Sequence, residues 1–322
     1  MRQLLRPRAC GEFCAGRLDP VSAECHKLRS PRGALPGRLS RGLTSRYDPH
    51  MTEPAVPRAE LLRWRDTALT ICDEADRIAM AGFRRDIQVD TKPDRSYVTA
   101  ADRSIEHMAR ERLRAAYPGC GLIGEEEGTD AAGSSVCWYV DPIDATANFV
   151  RGIPIFATLL AVAVDGELQL GVVSAPALRE RWVAWRGGGA WRGDQRLAVS
   201  RIARVEEAQL VYDSERLRDG LLPGLETTLA AAWRDRGFGD FWGYMLVAEG
   251  AAEAMIELGA HTWDWAAPMV IVEEAGGRFT TAAGERRIDG PSAVATNGLI
   301  HDELLERLGG VPSVMTPGAK KR

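Results

Sequence analysis

The 322-residue chain lacks a long hydrophobic run. Its longest apolar stretch, Pro154 to Val164, falls well short of the roughly 20 residues that a membrane-spanning helix needs, so a spanning helix and a membrane partner are not expected. Cysteine is sparse and unpatterned. Six residues without regular spacing do not make a disulfide framework, and a reducing compartment, the cytoplasm, is the expected setting. Positive charge is scarce where it would matter. Residues 1–50 carry ten Lys/Arg against four Asp/Glu, whereas the remaining 272 residues carry 31 basic against 41 acidic. An acidic body lacks the clustered cations that nucleic-acid phosphates require, so no nucleic-acid partner is expected. Such a body suits metal ions or a cationic substrate. With 45% hydrophobic, 27% charged and 7% aromatic residues, the chain is globular in composition, which excludes wholesale disorder, collagen-like repeats and coiled coil.

The first fifty residues have no apolar period and no signal-like apolar segment, and Pro7, Pro20, Pro31, Pro36 and Pro49 interrupt them. They are expected to form a disordered tail, with Met51 as the natural start; residues 311–322 are expected to form a second tail. Cys10, Cys14, Cys25 and His26 match no standard zinc spacing.

In the body, helical periodicity runs over Ala59–Arg84 and Ala100–Tyr117. Short strands are expected at Gly121–Gly124 and Cys137–Val140. The runs Thr158–Val164 and Glu167–Ser174 flank Asp165-Gly166, a strong hairpin signal. Arg181–Trp185 and Ala190–Arg192 continue this meander through a triple-glycine turn. Helices are expected at Thr227–Arg236, Phe241–Ala251, Asp264–Ala275 and His301–Leu308. Strands are expected at Ala254–Leu258, Arg278–Thr281 and Ala293–Thr296. The mixed order reads as layered α and β with much antiparallel sheet. It divides into an N-terminal α+β subdomain at 58–200 and a C-terminal α/β subdomain at 201–310.

Acidic residues fall at element ends. Glu125, Glu126 and Glu127 follow a strand. Asp141-Pro142-Ile143-Asp144 follows another, and proline fixes the bend between its two carboxylates. Asp264 opens a late helix and Asp102 an earlier one. Carboxylates so placed can converge on a hard divalent cation, helped by backbone carbonyls. Directly after them, Ala145, Thr146 and Asn148 read as a helix start whose free N–H groups suit a phosphate. Metal ligands beside a phosphate cradle point to metal-assisted phosphoryl chemistry. Each residue also has a purely structural explanation. Asp264 and Asp144 can cap helices, Thr99 with Asp102 fits a capping box, and the glutamate run can be a solvated loop. Capping does not require the Asp-Pro-Ile-Asp string after an apolar strand.

These motifs, DPIDATAN at 141–148, GEE at 124–126, WDWAA at 263–267 and VEEAGG at 272–277, resemble those of the inositol monophosphatase-like, magnesium-dependent phosphatases. The resemblance covers roughly residues 58–308. Within that family, the stretches at 91–103, 148–162, 171–187 and 238–250 are similar to actinobacterial-type histidinol-phosphate phosphatases.

The resemblance implies a layered α-β-α-β-α sandwich, two or three Mg²⁺ ions and a homodimer. It implies that Glu125, Asp141 and the Ile143 carbonyl hold one ion, and that Asp141, Asp144 and Asp264 hold a second. It further implies Glu126 as support behind the ligands, Asp102 paired with Thr146 near the attacking water, and Ala145 and Thr146 N–H groups on the phosphate. The implied reaction is hydrolysis of histidinol phosphate by a metal-activated water, with Glu125 near that water, as a step of histidine biosynthesis. Inositol 1-phosphate or another small phosphate ester is the alternative substrate. An inactive, small-molecule-binding relic is the alternative of another class, and the intact carboxylate set speaks against it. A 3′-phosphonucleotide substrate lacks an evident basic, aromatic pocket.

Substrate contacts are expected between Phe238 and Asp264, from Asp240 and Glu257, whose carboxylates suit an ammonium group. Asp240 can alternatively cap the helix beginning at Phe241, and His261 reads as a structural histidine. One departure stands out, because the family usually has glycine where this chain has Ala145. The expectation is that Ala145 is helical with φ < 0, which alanine accepts without strain.

Overall fold

Helix α1 (Arg58–Gly82) buries Leu61, Trp64, Ala68, Ile71, Cys72, Ala75 and Ala79, one stripe at three- and four-residue spacing. Helix α2 (Ala100–Ala116) follows a two-stranded ribbon, β1 (Val89–Thr91) and β2 (Tyr97–Thr99). The computed structural model describes residues 56–93, 96–130, 133–214 and 222–309. The two expected tails, the expected start at Met51 and the Cys10, Cys14, Cys25 and His26 group lie outside the described residues.

The chain then lays down β3 (Gly121–Gly124), β4 (Thr129–Asp130), β5 (Val136–Asp144), the short helix α3 (Thr146–Arg151), β6 (Ala157–Val164), β7 (Glu167–Ala175), β8 (Glu180–Trp185), β9 (Gly189–Arg192) and β10 (Gln195–Arg196). These strands form an eight-stranded sheet in the order β10-β9-β8-β7-β6-β5-β3-β4, in which β3 and β5 are parallel. The β6–β7 connection is the expected two-residue turn. Asp165 and Gly166 both take positive φ, 50° and 84°, as a type I′ hairpin requires.

A second sheet comes from β11 (Gln209–Tyr212), β12 (Arg234–Arg236), β13 (Ala254–Leu258), β14 (Arg278–Thr280) and β15 (Ser292–Thr296), in the order β12-β11-β13-β15-β14. The helices α4 (Leu225–Ala231), α5 (Asp240–Ala248), α6 (Thr262–Glu274) and α7 (His301–Leu308) are interleaved with them.

Alternation along the strands sets the layers. Leu160, Val162, Leu170 and Val172 join the core beneath α1 and α2, while Leu159, Ala161, Leu168 and Val173 face α5 and α6. In the second sheet Met255 faces α5 and α6, whereas Ala254, Ile256 and Leu258 face Leu225 of α4 and Leu304 of α7. The result is the expected α-β-α-β-α sandwich. Helix α6 is apolar all round, with every residue from Trp265 to Val272 buried, because a sheet lies on each side of it. Gly171 makes this close packing possible: a Cβ there would stand 2.5 Å from the Ala267 carbonyl oxygen.

The helix expected over Thr227–Arg236 stops at Ala231. Residues 234–236 instead form an edge strand parallel to β11, with Gln209 opposite Arg234. Sheet pairing here overrides an alanine-rich helical propensity. Helix α5 ends at Ala248 rather than Ala251, since Gly250 turns the chain at φ 72°. Among the described residues no helix is long and apolar enough to cross a membrane.

Candidate active site

Strand β5 carries the Asp-Pro-Ile-Asp string into a β-bulge. Asp141 pairs with Leu159 and Asp144 with Ala157, so the register slips between them. Pro142 has no N–H to give the ladder and is tolerated in the bulge. Its carbonyl accepts the Thr158 hydroxyl at 2.8 Å. The distortion re-aims both aspartates toward the N-terminus of α6. There, one oxygen from each of Asp141, Asp144 and Asp264 lies within 4.8 Å of the others.

Capping and clustering coexist. Asp144 Oδ2 accepts the Phe241 N–H at 2.7 Å and so caps α5, 97 residues away in sequence. Asp264 Oδ2 accepts the His261 N–H at 2.6 Å as part of a capping box on α6. Asp141 is different: its Oδ1 is buried without a hydrogen-bond partner. Burial lifts the Asp141 carboxyl well above the usual carboxylate range, and the charges of Glu125, Asp144 and Asp264 add to the lift. Asp144 is raised by burial and then by Asp240 and Asp264. An orphaned buried acceptor within a group of mutually repelling carboxylates fits a bound cation, and an all-oxygen donor set fits a hard one. The Ile143 carbonyl accepts the Thr146 hydroxyl at 2.8 Å and keeps a second lone pair.

Glu125 is not one of the three clustered carboxylates, but its charge acts on Asp141. Burial raises the pKa of Glu125, as do the charges of Asp264 and Asp102. Lys92, within the 91–103 stretch but not expected at the site, bridges Glu125 Oε1 at 2.7 Å and Glu126 Oε1 at 2.6 Å. Burial disfavours the Lys92 ammonium, but the two glutamates outweigh it and hold the pKa above the ordinary lysine value.

Asp102 is fully buried and does two things. Its Oδ2 accepts the Thr99 N–H at 2.8 Å and the Thr99 hydroxyl at 2.5 Å, completing the capping box on α2. Its Oδ1 accepts a longer bond from the Thr146 hydroxyl at 3.4 Å. Burial pushes its carboxyl up to about 6.

Two expectations are overturned. Ala145 has φ 64° and ψ 46°, left-handed rather than helical. The bulged strand must reverse into α3 within one residue, and Ala145 makes that turn while its carbonyl accepts the N–H groups of Asn148 and Phe149 at 2.9 and 3.1 Å. The conformation costs alanine about 1–2 kcal/mol. Asp240 is not the cap of a helix starting at Phe241. The helix includes Asp240, its N-cap is Gly239, and the Phe241 N–H belongs to Asp144. Asp240 itself takes φ 56°. Two of the five non-glycine residues with positive φ among the described residues thus border this one site, where strain tends to collect.

After burial, the Asp240 charge raises the pKa of both Glu257 and Asp144. Glu257 Oε2 accepts the Tyr244 hydroxyl at 2.6 Å and also the Trp265 indole N–H. Burial lifts its carboxyl to about 8. His261 stacks on Trp263 with ring centroids 4.7 Å apart.

The inositol monophosphatase family profile matches residues 60–311. The chain belongs to this family. It is 45% identical over 251 residues to a histidinol-phosphatase of Mycobacterium tuberculosis, covering 75% of this chain and 96% of that protein. It is 41% identical over 250 residues to a histidinol-phosphatase of Streptomyces coelicolor, covering 74% and 94%. Among solved structures it matches an inositol monophosphatase of Thermotoga maritima with a TM-score of 0.70 and 31% identity, over 77% of this chain and 97% of that one. The matched region contains the carboxylates that the fold brings together here from β5 and α6.

Proposed function

We propose that the chain is a Mg²⁺-dependent phosphatase that hydrolyses histidinol phosphate to histidinol and phosphate. The observation that carries the reading is the convergence of Asp141, Asp144 and Asp264 around an unpartnered buried Asp141 oxygen, in a chain whose two relatives above are histidinol-phosphatases. Glu125, Asp141 and the Ile143 carbonyl form one set of Mg²⁺ ligands, and Asp141, Asp144 and Asp264 a second. When bound, the cation neutralises phosphate charge and makes water a better nucleophile at neutral pH.

The remaining work falls to the chain. The N–H groups of Ala145 and Thr146 bind phosphate oxygens at the start of α3. Asp102, with a carboxyl near 6, orients the attacking water together with the Thr146 hydroxyl, which passes the water's proton on to Asp102 Oδ1, with Glu125 close by. A pKa in that range suits a base working near neutrality. Glu126, bridged to Lys92, steadies the loop behind Glu125. Asp240 and Glu257 hold the ammonium end of the leaving group by charge-assisted hydrogen bonds. In this reading the reaction is a step of histidine biosynthesis in the cytoplasm, carried out by a homodimer.

Phosphate release from histidinol phosphate, inositol 1-phosphate, fructose bisphosphate and 3′-phosphoadenosine phosphate, each with Mg²⁺, tests the proposal. Histidinol phosphate should give the highest kcat/KM by at least about tenfold, a difference of some 1.4 kcal/mol in transition-state binding. Preference for inositol 1-phosphate would reassign the substrate, and no release from any ester would restore the relic.

A further inference from the structure

The loop that carries Glu125 and Glu126 is gripped from behind by two side chains that touch neither substrate nor the proposed ligand atoms. Glu106 and Arg110 lie one turn apart on α2 and are 0% and 1% exposed. Glu106 Oε2 accepts the Glu126 N–H at 2.6 Å, and Oε1 accepts the Glu127 N–H at 2.9 Å. Arg110 Nε and Nη2 reach Glu106 Oε1 at 2.9 and 2.8 Å. Arg110 Nη2 also donates to the Gly128 carbonyl, which accepts the Gly124 N–H at 3.1 Å. The five-residue loop is therefore fixed at both ends and in the middle by one buried ion pair. Gly124 answers to the same pair: a Cβ there would overlap Glu106 Oε1 and stand 2.9 Å from Arg110 Nη2.

We infer that Glu106 and Arg110 are positioning residues that set the backbone of the 124–128 loop, and with it the place of Glu125 in the proposed Mg²⁺ site. The inference rests on the metal-dependent reading above. A buried ion pair is a poor source of net stability, because desolvation offsets the attraction; its best-founded use is to specify one arrangement. The arrangement specified here is a ligand's backbone. Lys92 draws the Glu125 carboxylate from the front, so the loop needs an independent anchor behind it. The anchor sits on the helix whose first turn carries Asp102, so one rigid element sets both the residue that orients water and a metal ligand. A supporting contact of this kind matters because ligands tolerate only about 0.5 Å of misplacement.

The test is a Mg²⁺ titration of the full chain by calorimetry, with melting temperature in EDTA as a separate readout. Arg110→Met, Glu106→Gln and the double variant should each weaken Mg²⁺ binding at least fivefold, and Arg110→Lys should recover part of the loss. Arg112→Met, which removes an exposed ion pair between α2 and Glu74 of α1, should leave it within twofold. The double variant retains no unpaired buried charge. It decides the matter if a single variant fails to fold. A merely structural pair predicts lower melting temperatures with wild-type Mg²⁺ affinity, and that result in any folded variant overturns the inference. A wild-type protein that binds no Mg²⁺ would instead remove the metal reading itself, and the inference with it.

Discussion

Replacing Ala145 by glycine isolates the strain at the turn between β5 and α3. The alanine sits at φ 64° and ψ 46°, where an L-residue is disfavoured by about 1–2 kcal/mol. Glycine removes that penalty. It gives back about 0.5–1 kcal/mol through the greater freedom of the unfolded chain, and about 0.4 kcal/mol through loss of a half-buried methyl. That methyl packs against the apolar core beneath α1 and α2. The net change for Ala145→Gly therefore lies between a loss of about 0.4 and a gain of about 1 kcal/mol. An ordinary helical alanine would lose about 1 kcal/mol in the same substitution. Urea unfolding with an unchanged slope distinguishes the two. Ala145→Val, branched at Cβ, should lose at least about 2 kcal/mol in the same assay. Because both residues offer the same N–H to phosphate, kcat for the glycine variant should stay within about tenfold, under 1.4 kcal/mol in barrier. A loss of 1 kcal/mol or more in stability would refute the strain argument. A hundredfold rise in kcat would mean that alanine cripples the site, and would revive the relic reading.

Three further outcomes follow from the same geometry. Asp141→Asn should abolish phosphate release while raising the melting temperature in EDTA, because it removes a carboxyl that burial, and then the charges of Glu125, Asp144 and Asp264, hold well above its usual range; near-normal activity would contradict the ligand assignment. Glu257 has its carboxyl raised from 4.5 to about 8 in the folded state. The native state thus holds a proton that the unfolded chain has released, and metal-free stability should fall as pH rises from about 4.5 to 8, by up to roughly 5 kcal/mol at the limit. Glu257→Gln should flatten that slope in chemical denaturation at several pH values. Gly171→Ala places a Cβ 2.5 Å from the Ala267 carbonyl and should destabilise by about 2 kcal/mol or more, displacing the helix that carries Asp264; urea midpoints measure it.

What could be read directly in the residues was local. The Asp165-Gly166 hairpin, the strand Ala254–Leu258 and the capping box of Thr99 with Asp102 depend on neighbours within a few positions, and each forms as expected. The Asp-Pro-Ile-Asp string marked the site because proline placed between two acids after an apolar strand is unusual for a cap. Capping and site-building proved not to be alternatives, since Asp144 and Asp264 each cap a helix and still join the cluster. What escaped was set by distant chain. Lys92 meets Glu125 across 33 positions, and Glu106 meets Glu126 across 20; neither pairing leaves a periodic trace. The end of α4 at Ala231 reflects the free edge of β11, and the left-handed turn at Ala145 reflects the bulge before it. Both look like ordinary helix in one dimension.

The claim that Glu125, Asp141, Asp144 and Asp264 hold divalent cations can be examined directly by anomalous scattering from crystals grown with Mn²⁺ and phosphate. The account predicts at least one strong anomalous peak within coordination distance of Asp141, with Asp264 and either Glu125 or Asp144 as further ligands and phosphate oxygens facing the N–H groups of Ala145 and Thr146. Ordered carboxylates with no anomalous peak among them, at Mn²⁺ concentrations that support phosphate release, would contradict it.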